Sequence, residues 1–218
     1  NIGWSKVDRN IRRSLEYEID LATAGPPTGT VTVRYENVSN DTASGCDAQR
    51  MDRGRNYQQL KNACYWNLIR IYPTQGASII STESSPLPQN SVYAKLGLGA
   101  EGDDTVTIGT GPAGTFISGL IQVPAGEVVE TSLVIQLPEM VLDMKDDTST
   151  YSLHLTAQPG TLGRTTNVRV KLPPDQMFVR ASMPPTSLDG NLVTFEIPLR
   201  EDTDISVVMR SVGDAVTK

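Results

Sequence analysis

Apolar and polar positions alternate with a period of two along much of this chain, the pattern of strands with one wet face. Leu15, Tyr17, Ile19 and Leu21 fall on one side, with Glu16, Glu18 and Asp20 on the other. Gly25-Pro26-Pro27-Thr28-Gly29 is turn chemistry, after which Val31, Val33 and Tyr35 resume the alternation. These two segments predict an antiparallel hairpin. Ahead of them, Ser5 to Arg13 is charged and helix-compatible, with Ser5 as an N-cap and Val7 and Ile11 four apart. Tyr65 to Tyr72 predicts a further strand, with Trp66, Leu68 and Arg70 facing one way and aromatics filling the core. Arg70 then needs an aromatic ring (Trp66 or Tyr72) or a carboxylate to keep its charge. Further strands are predicted at 79–80, 92–98, 105–108, 115–123 and 128–137, then at 151–155, 166–172, 177–183, 192–197 and 205–209.

About a dozen short strands punctuated by Pro and Gly give the turn spacing of a β-sandwich. The expected fold is all-β, an immunoglobulin-like or jelly-roll-like sandwich with long loops and at most one or two short helices. No fixed-period repeat and no strong linker divides the chain. Residues 1–174 read as the main sandwich domain and 175–218 as C-terminal strands completing the same domain; Pro173-Pro174 is the best place for a cut.

Composition narrows the functional classes. The 218 residues carry a net charge of −6, with no dominant basic stripe of the kind that tracks nucleic acid. No apolar run approaches the ~20 residues that span a bilayer. The chain opens on Asn1 without a signal peptide and reads as an excised piece of a longer protein, its anchor or export signal expected upstream. Residues 37–62 form a polar, loop-like stretch too long for an ordinary connection, unless some staple ties it down. Cys46 and Cys64 supply a candidate staple, since two cysteines of one loop pair readily in an oxidising compartment. Closing that loop contributes ~3 kcal/mol in the chain-entropy view. Two free thiols are the alternative.

Candidate chemistry is sparse. The single histidine, His154, lies in strand-like text and reads as a solvated or half-buried structural side chain. No Gly-x-Ser-x-Gly elbow accompanies it, and paired cysteines offer no thiolate nucleophile. Acidic groups at Glu101/Asp103/Asp104, Asp143/Asp146/Asp147 and Glu201/Asp202/Asp204 lack the calcium-loop pattern and read as solvated turns, with calcium binding left open. Gly109-Thr110-Gly111-Pro112-Ala113-Gly114 lacks the Lys and the following helix of a phosphate cradle, and is read as a β-turn loop. Two sequons, at Asn37 and Asn40, matter only in a glycosylating host. Arg50, Arg53, Arg55 and Lys61 with Tyr57 are the best candidate binding surface, because Arg and Tyr are favoured at interface hot spots, with a solvated loop as the alternative. No catalytic set, metal site or cofactor is expected.

Several short segments, in order, carry a likeness to a known family: Trp4-Ser5-Lys6-Val7-Asp8 before Glu16-Tyr17-Glu18-Ile19, then Tyr65-Trp66-Asn67-Leu68-Ile69-Arg70-Ile71-Tyr72-Pro73 with Gly76. Val123-Pro124-Ala125-Gly126-Glu127, Tyr151-Ser152-Leu153 and Gln158-Pro159-Gly160 complete the set. The chain resembles the C-terminal region of a bacterial membrane-anchored surface protein family of unknown function, domain-of-unknown-function family four thousand and twelve. That resemblance implies an extracytoplasmic, cell-envelope location and supplies no catalytic residues. The expected function is therefore a non-catalytic structural or interaction module of a bacterial cell-envelope protein. Its expected partner is another envelope protein or a polysaccharide. The alternative is a carbohydrate-binding or carbohydrate-active domain using Trp66, Tyr72 or the acidic loops; aromatic rings exposed on one sheet face would favour it.

Overall fold

The computed structural model describes residues 6–40, 46, 56–83, 106–111, 114–157 and 164–212. These residues form an all-β protein of several sheets with very little helix. The strands are β1 (Ile11–Asp20), β2 (Thr28–Asn37), β3 (Tyr65–Ile71), β4 (Ser78–Glu83), β5 (Val106–Gly111), β6 (Gly114–Val123) and β7 (Val128–Gln136). They continue as β8 (Leu142–Lys145), β9 (Thr148–Leu155), β10 (Arg164–Lys171), β11 (Gln176–Ala181), β12 (Ser187–Asp189), β13 (Leu192–Leu199) and β14 (Thr203–Ser211). The one described α-helix is α1 (Tyr57–Lys61).

Two compact units form. One comprises Asn1–Ser14, Thr32–Gln75 and Ser81–Leu133; the other comprises Leu15–Val31, Gly76–Ile80 and Val134–Lys218. The second is the sandwich. It holds the four-stranded sheet β11-β14-β9-β8 together with β10, β12 and β13; a second sheet runs in the order β12-β13-β10-β1-β2-β7-β4, and its strands β1, β2, β7 and β4 have residues in both units. Antiparallel register places Val168 opposite Phe195 and Val170 opposite Val193, all four fully buried. On the other sheet Val207 pairs with Tyr151 and Ile205 with Leu153. Each fully buried aliphatic or aromatic side chain of this kind contributes about 1.5–3 kcal/mol to folding. A polar bond crosses the same core: the Tyr151 hydroxyl donates to the Tyr17 hydroxyl at 3.2 Å. Gly29 makes room for it, because a Cβ there would lie 3.0 Å from the Tyr17 hydroxyl. Burial pushes both phenols above their ordinary titration range, so the pair stays neutral.

The alternate faces of β1 and β10 carry the charges. Arg169 Nη1 lies 2.9 Å from Glu16 and 3.3 Å from Glu18, and Lys171 Nζ lies 2.8 Å from Asp20. These cross-strand pairs are partly exposed and fix register more than they add stability.

The first unit contains the sheet β3-β6-β5. Here Tyr65 pairs with Val123, Asn67 with Ile121 and Ile71 with Ile117. The fully buried aromatic of β3 is Tyr65. Burial pushes its phenol up, while the neighbouring Arg13 works the other way. The Arg13 guanidinium lies 5.4 Å from the centre of the Tyr65 ring and 5.9 Å from that of Tyr35, donates to the Tyr65 hydroxyl at 2.7 Å, and pairs with Asp8.

Three expectations change. The stretch 5–13 is not a helix over its described part: Val7–Asn10 makes one 3-10 turn and β1 starts at Ile11. Val7 is fully buried and Arg13 has the Tyr35–Tyr65 pocket to fill, and tertiary contacts of that kind override local propensity. Asp143 to Asp147, expected as a solvated turn, begins within a strand. β8 and β9 pair directly, Lys145 opposite Thr148, across a turn in which Asp146 takes φ 53°. Asp tolerates that left-handed backbone better than most residues. Finally, α1 lies inside the predicted long loop, held by a capping box: the Gln59 N–H donates to the Asn56 side chain at 3.0 Å and the Asn56 N–H to the Gln59 side chain at 3.1 Å. The predicted strand 92–98 lies outside the described residues.

Candidate functional site

Around the staple, Cys46 and Cys64 form a disulfide with Cα atoms 5.1 Å apart. Cys64 precedes β3 directly, so the bond ties Cys46, beyond β2, to the edge of the three-stranded sheet. A set of side-chain amides secures the same corner. Asn37, 1% exposed, donates to the carbonyls of Ala63 at 3.0 Å and Val123 at 3.1 Å, and accepts from the Ser39 N–H at 3.1 Å. Asn10 donates to the Lys61 carbonyl at 2.9 Å and to the side chains of Ser39 and Asn62, both at 3.1 Å. Asn37 is thus a structural side chain, its amide committed to two carbonyls although it sits in a sequon.

Tyr57 of the predicted basic surface is 52% exposed at the start of α1 and accepts a hydrogen bond from Arg9 at 3.3 Å. Arg50, Arg53 and Arg55 lie outside the described residues. His154 is exposed on β9 and bonded to Asp204 of β14 at 2.7 Å, directly across the register. That hydrogen bond holds the imidazole above its usual value. Asp202 accepts the Ala157 N–H at 2.8 Å. Among the described residues no three His, Cys, Asp or Glu side chains gather closely enough to hold a metal ion. Glu101, Asp103 and Asp104 lie outside the described residues. Gly109, Gly111 and Gly114 belong to the β5–β6 hairpin, with Gly111 opposite Gly114.

The most distinctive surface lies on β3 and β6. Register puts Trp66 opposite Gln122, Leu68 opposite Leu120 and Arg70 opposite Ser118 on one face. Trp66 is buried at 6% exposure, whereas Leu68, Arg70 and Tyr72 of the same alternation are exposed. Arg70 lies over a ring from the neighbouring strand, Phe116 of β6. Its guanidinium lies 4.8 Å from the centre of the Phe116 ring, and the Tyr72 ring centre is 5.8 Å from that of Phe116. Phe116 can lie across β5 because Gly109 is beneath it; a Cβ at Gly109 would be 2.4 Å from the ring. Strand pattern alone predicts that Arg70 needs an aromatic neighbour. It does not predict Phe116, since which strand lies alongside is a tertiary fact.

The chain matches no family model and no curated protein. Distant likenesses exist among solved structures. The M1 zinc metallopeptidase of Deinococcus radiodurans is similar at 12% identity and a TM-score of 0.39, over 92% of this chain and 42% of that one. Leukotriene A4 hydrolase of Saccharomyces cerevisiae is similar at 9% identity and a TM-score of 0.43, over 94% of this chain and 31% of that one. The chain therefore spans less than half the length of either, and neither likeness bears on its chemistry.

Proposed function

We propose that this chain is a non-catalytic, extracytoplasmic interaction module of a bacterial cell-envelope protein. The observation that carries the reading is the Cys46–Cys64 disulfide. Such a bond persists outside the reducing cytoplasm, and here it braces a corner already built from the Asn10 and Asn37 amides. The resemblance to family four thousand and twelve supports the same compartment, with an anchoring segment elsewhere in the full-length protein. Binding rather than turnover is supported by how the reactive groups are used. Both cysteines are spent on each other, and the one histidine pairs with Asp204 at the surface. No described helix is long and apolar enough to cross a membrane.

A second reading, a carbohydrate-binding or carbohydrate-active domain, is favoured by the exposed Tyr72 ring beside Phe116 and Arg70. The test of the main reading is a membrane-impermeant amine label applied to intact cells of the source bacterium. Labelling before lysis is expected; labelling only after lysis contradicts it. Release of new reducing ends from any polysaccharide incubated with the purified chain would move the account to the carbohydrate-active alternative.

A further inference from the structure

We infer that the Tyr72–Phe116–Arg70 face of β3 and β6 binds an acidic polysaccharide, a run of sugar rings bearing carboxylates. The inference rests on the interaction-module reading and names the ligand class of one surface. Three observations carry it. Tyr72 is 51% exposed and Leu68 42%, both on an alternation whose other members are buried or charged, so an apolar strip faces outward. Aromatic rings of that kind receive the C–H faces of sugar rings by stacking. The strip is closely backed, because Phe116 is seated directly over Gly109 and beside Gly111. A preorganised platform of this sort binds without first ordering its side chains.

The third observation selects the charge. Arg70 is exposed, its guanidinium is held over Phe116, and no described carboxylate lies within ion-pair distance of it. Arg13, which also lies over aromatic rings, is paired with Asp8; among the described residues Arg70 is the guanidinium held over a ring with no carboxylate partner. A planar guanidinium fork that is positioned and has no described carboxylate partner matches a ligand carboxylate in bidentate geometry. In a chain of net charge −6 the surrounding surface does not gather polyanions on its own. Recognition would therefore be local, needing both the ring and the cation.

The test uses the full chain, a hexamer of polygalacturonate and neutral cellohexaose, with affinities from titration calorimetry. The variants are Tyr72→Ala and Arg70→Gln, with Arg180→Gln, an exposed cation of β11, as the charge-matched control. Expected are binding of the uronate hexamer, a loss of about tenfold or more in each site variant, and a change of less than about twofold in the control. Because the replaced side chains are exposed, all variants should melt with the wild type, which separates lost binding from lost folding. Equal binding of both hexamers, unaffected by Arg70→Gln, overturns the acidic ligand. Binding of neither overturns the polysaccharide, while labelling of intact cells still decides the interaction-module reading separately. Binding of an acidic peptide by the same face, with no response to either hexamer, likewise overturns it.

Discussion

Asn37 offers the sharpest test of how the first unit is held. Its side chain donates to two carbonyls, on Ala63 and Val123, and accepts from Ser39, at 3.0–3.1 Å throughout. Asn37→Ala strands three buried groups at once. A buried polar group deprived of its partner costs roughly 1–3 kcal/mol, and the carbonyls fall at the lower end because each keeps a second lone pair. The sum is about 3 kcal/mol. For a chain of this size each kcal/mol lowers Tm by about 2–4 °C, so thermal melting followed by circular dichroism should show a drop of about 6–12 °C. Asn37→Asp is more discriminating. The carboxylate still accepts from Ser39 but turns an oxygen onto two carbonyl oxygens, so its folded-state pKa is raised above the unfolded value of about 3.9. The folded variant then binds a proton that the unfolded chain releases, and its deficit relative to wild type shrinks as pH falls from about 7 towards 4. A Tm within about 2 °C of wild type for Asn37→Ala, or an Asp deficit that ignores pH, would refute the reasoning.

Other predictions concern the remaining features. Replacing Cys46 and Cys64 together by Ser removes a bond of sequence separation 18 and should lower stability by about 3 kcal/mol in urea unfolding; an unchanged midpoint would contradict the staple. The hydrogen bond that His154 donates to Asp204 raises the imidazole, so this pair's contribution is complete below the unfolded value of about 6.5 and fades as pH rises through the folded value. Proton NMR titration should show His154 above its ordinary value, moving back towards it in Asp204→Asn; an identical titration in both proteins would contradict the pairing. Gly109→Ala sets a Cβ into Phe116, so the ring must swing away and the upfield ring-current shift of the Arg70 side chain should vanish. An unaltered Arg70 signal would show that Phe116 does not lie where the structure places it.

Fold class was legible because alternation is a local property. Leu15 to Leu21 and Val31 to Tyr35 announced β1 and β2, and Val168, Val170 and Leu172 announced β10, since each buries one face only. β8 and β12 escaped because they are short, exposed edges: Leu142–Lys145 has no buried side chain and Ser187–Asp189 is exposed throughout. The α1 helix was written in the Asn56-to-Gln59 spacing, a capping signal that a reading for strands passes over. Of the candidate site, the disulfide was readable from cysteine arithmetic, and Arg70 from its conflict with an aromatic face. Phe116, Gly109 and Asn37 were not, because each acts on residues brought in by other strands. Asn37 in particular looked like a sequon on a polar loop, and only its contacts with Ala63 and Val123 show that it is a buried clamp.

The compartment on which the proposed function depends can be read directly from the two sulfurs. Cells of the source organism are quenched in acid, and the full-length protein is alkylated before and after reduction and weighed by mass spectrometry. The account predicts that Cys46 and Cys64 take up label only after reduction. Label on both before reduction, in protein taken straight from the cell, would contradict it.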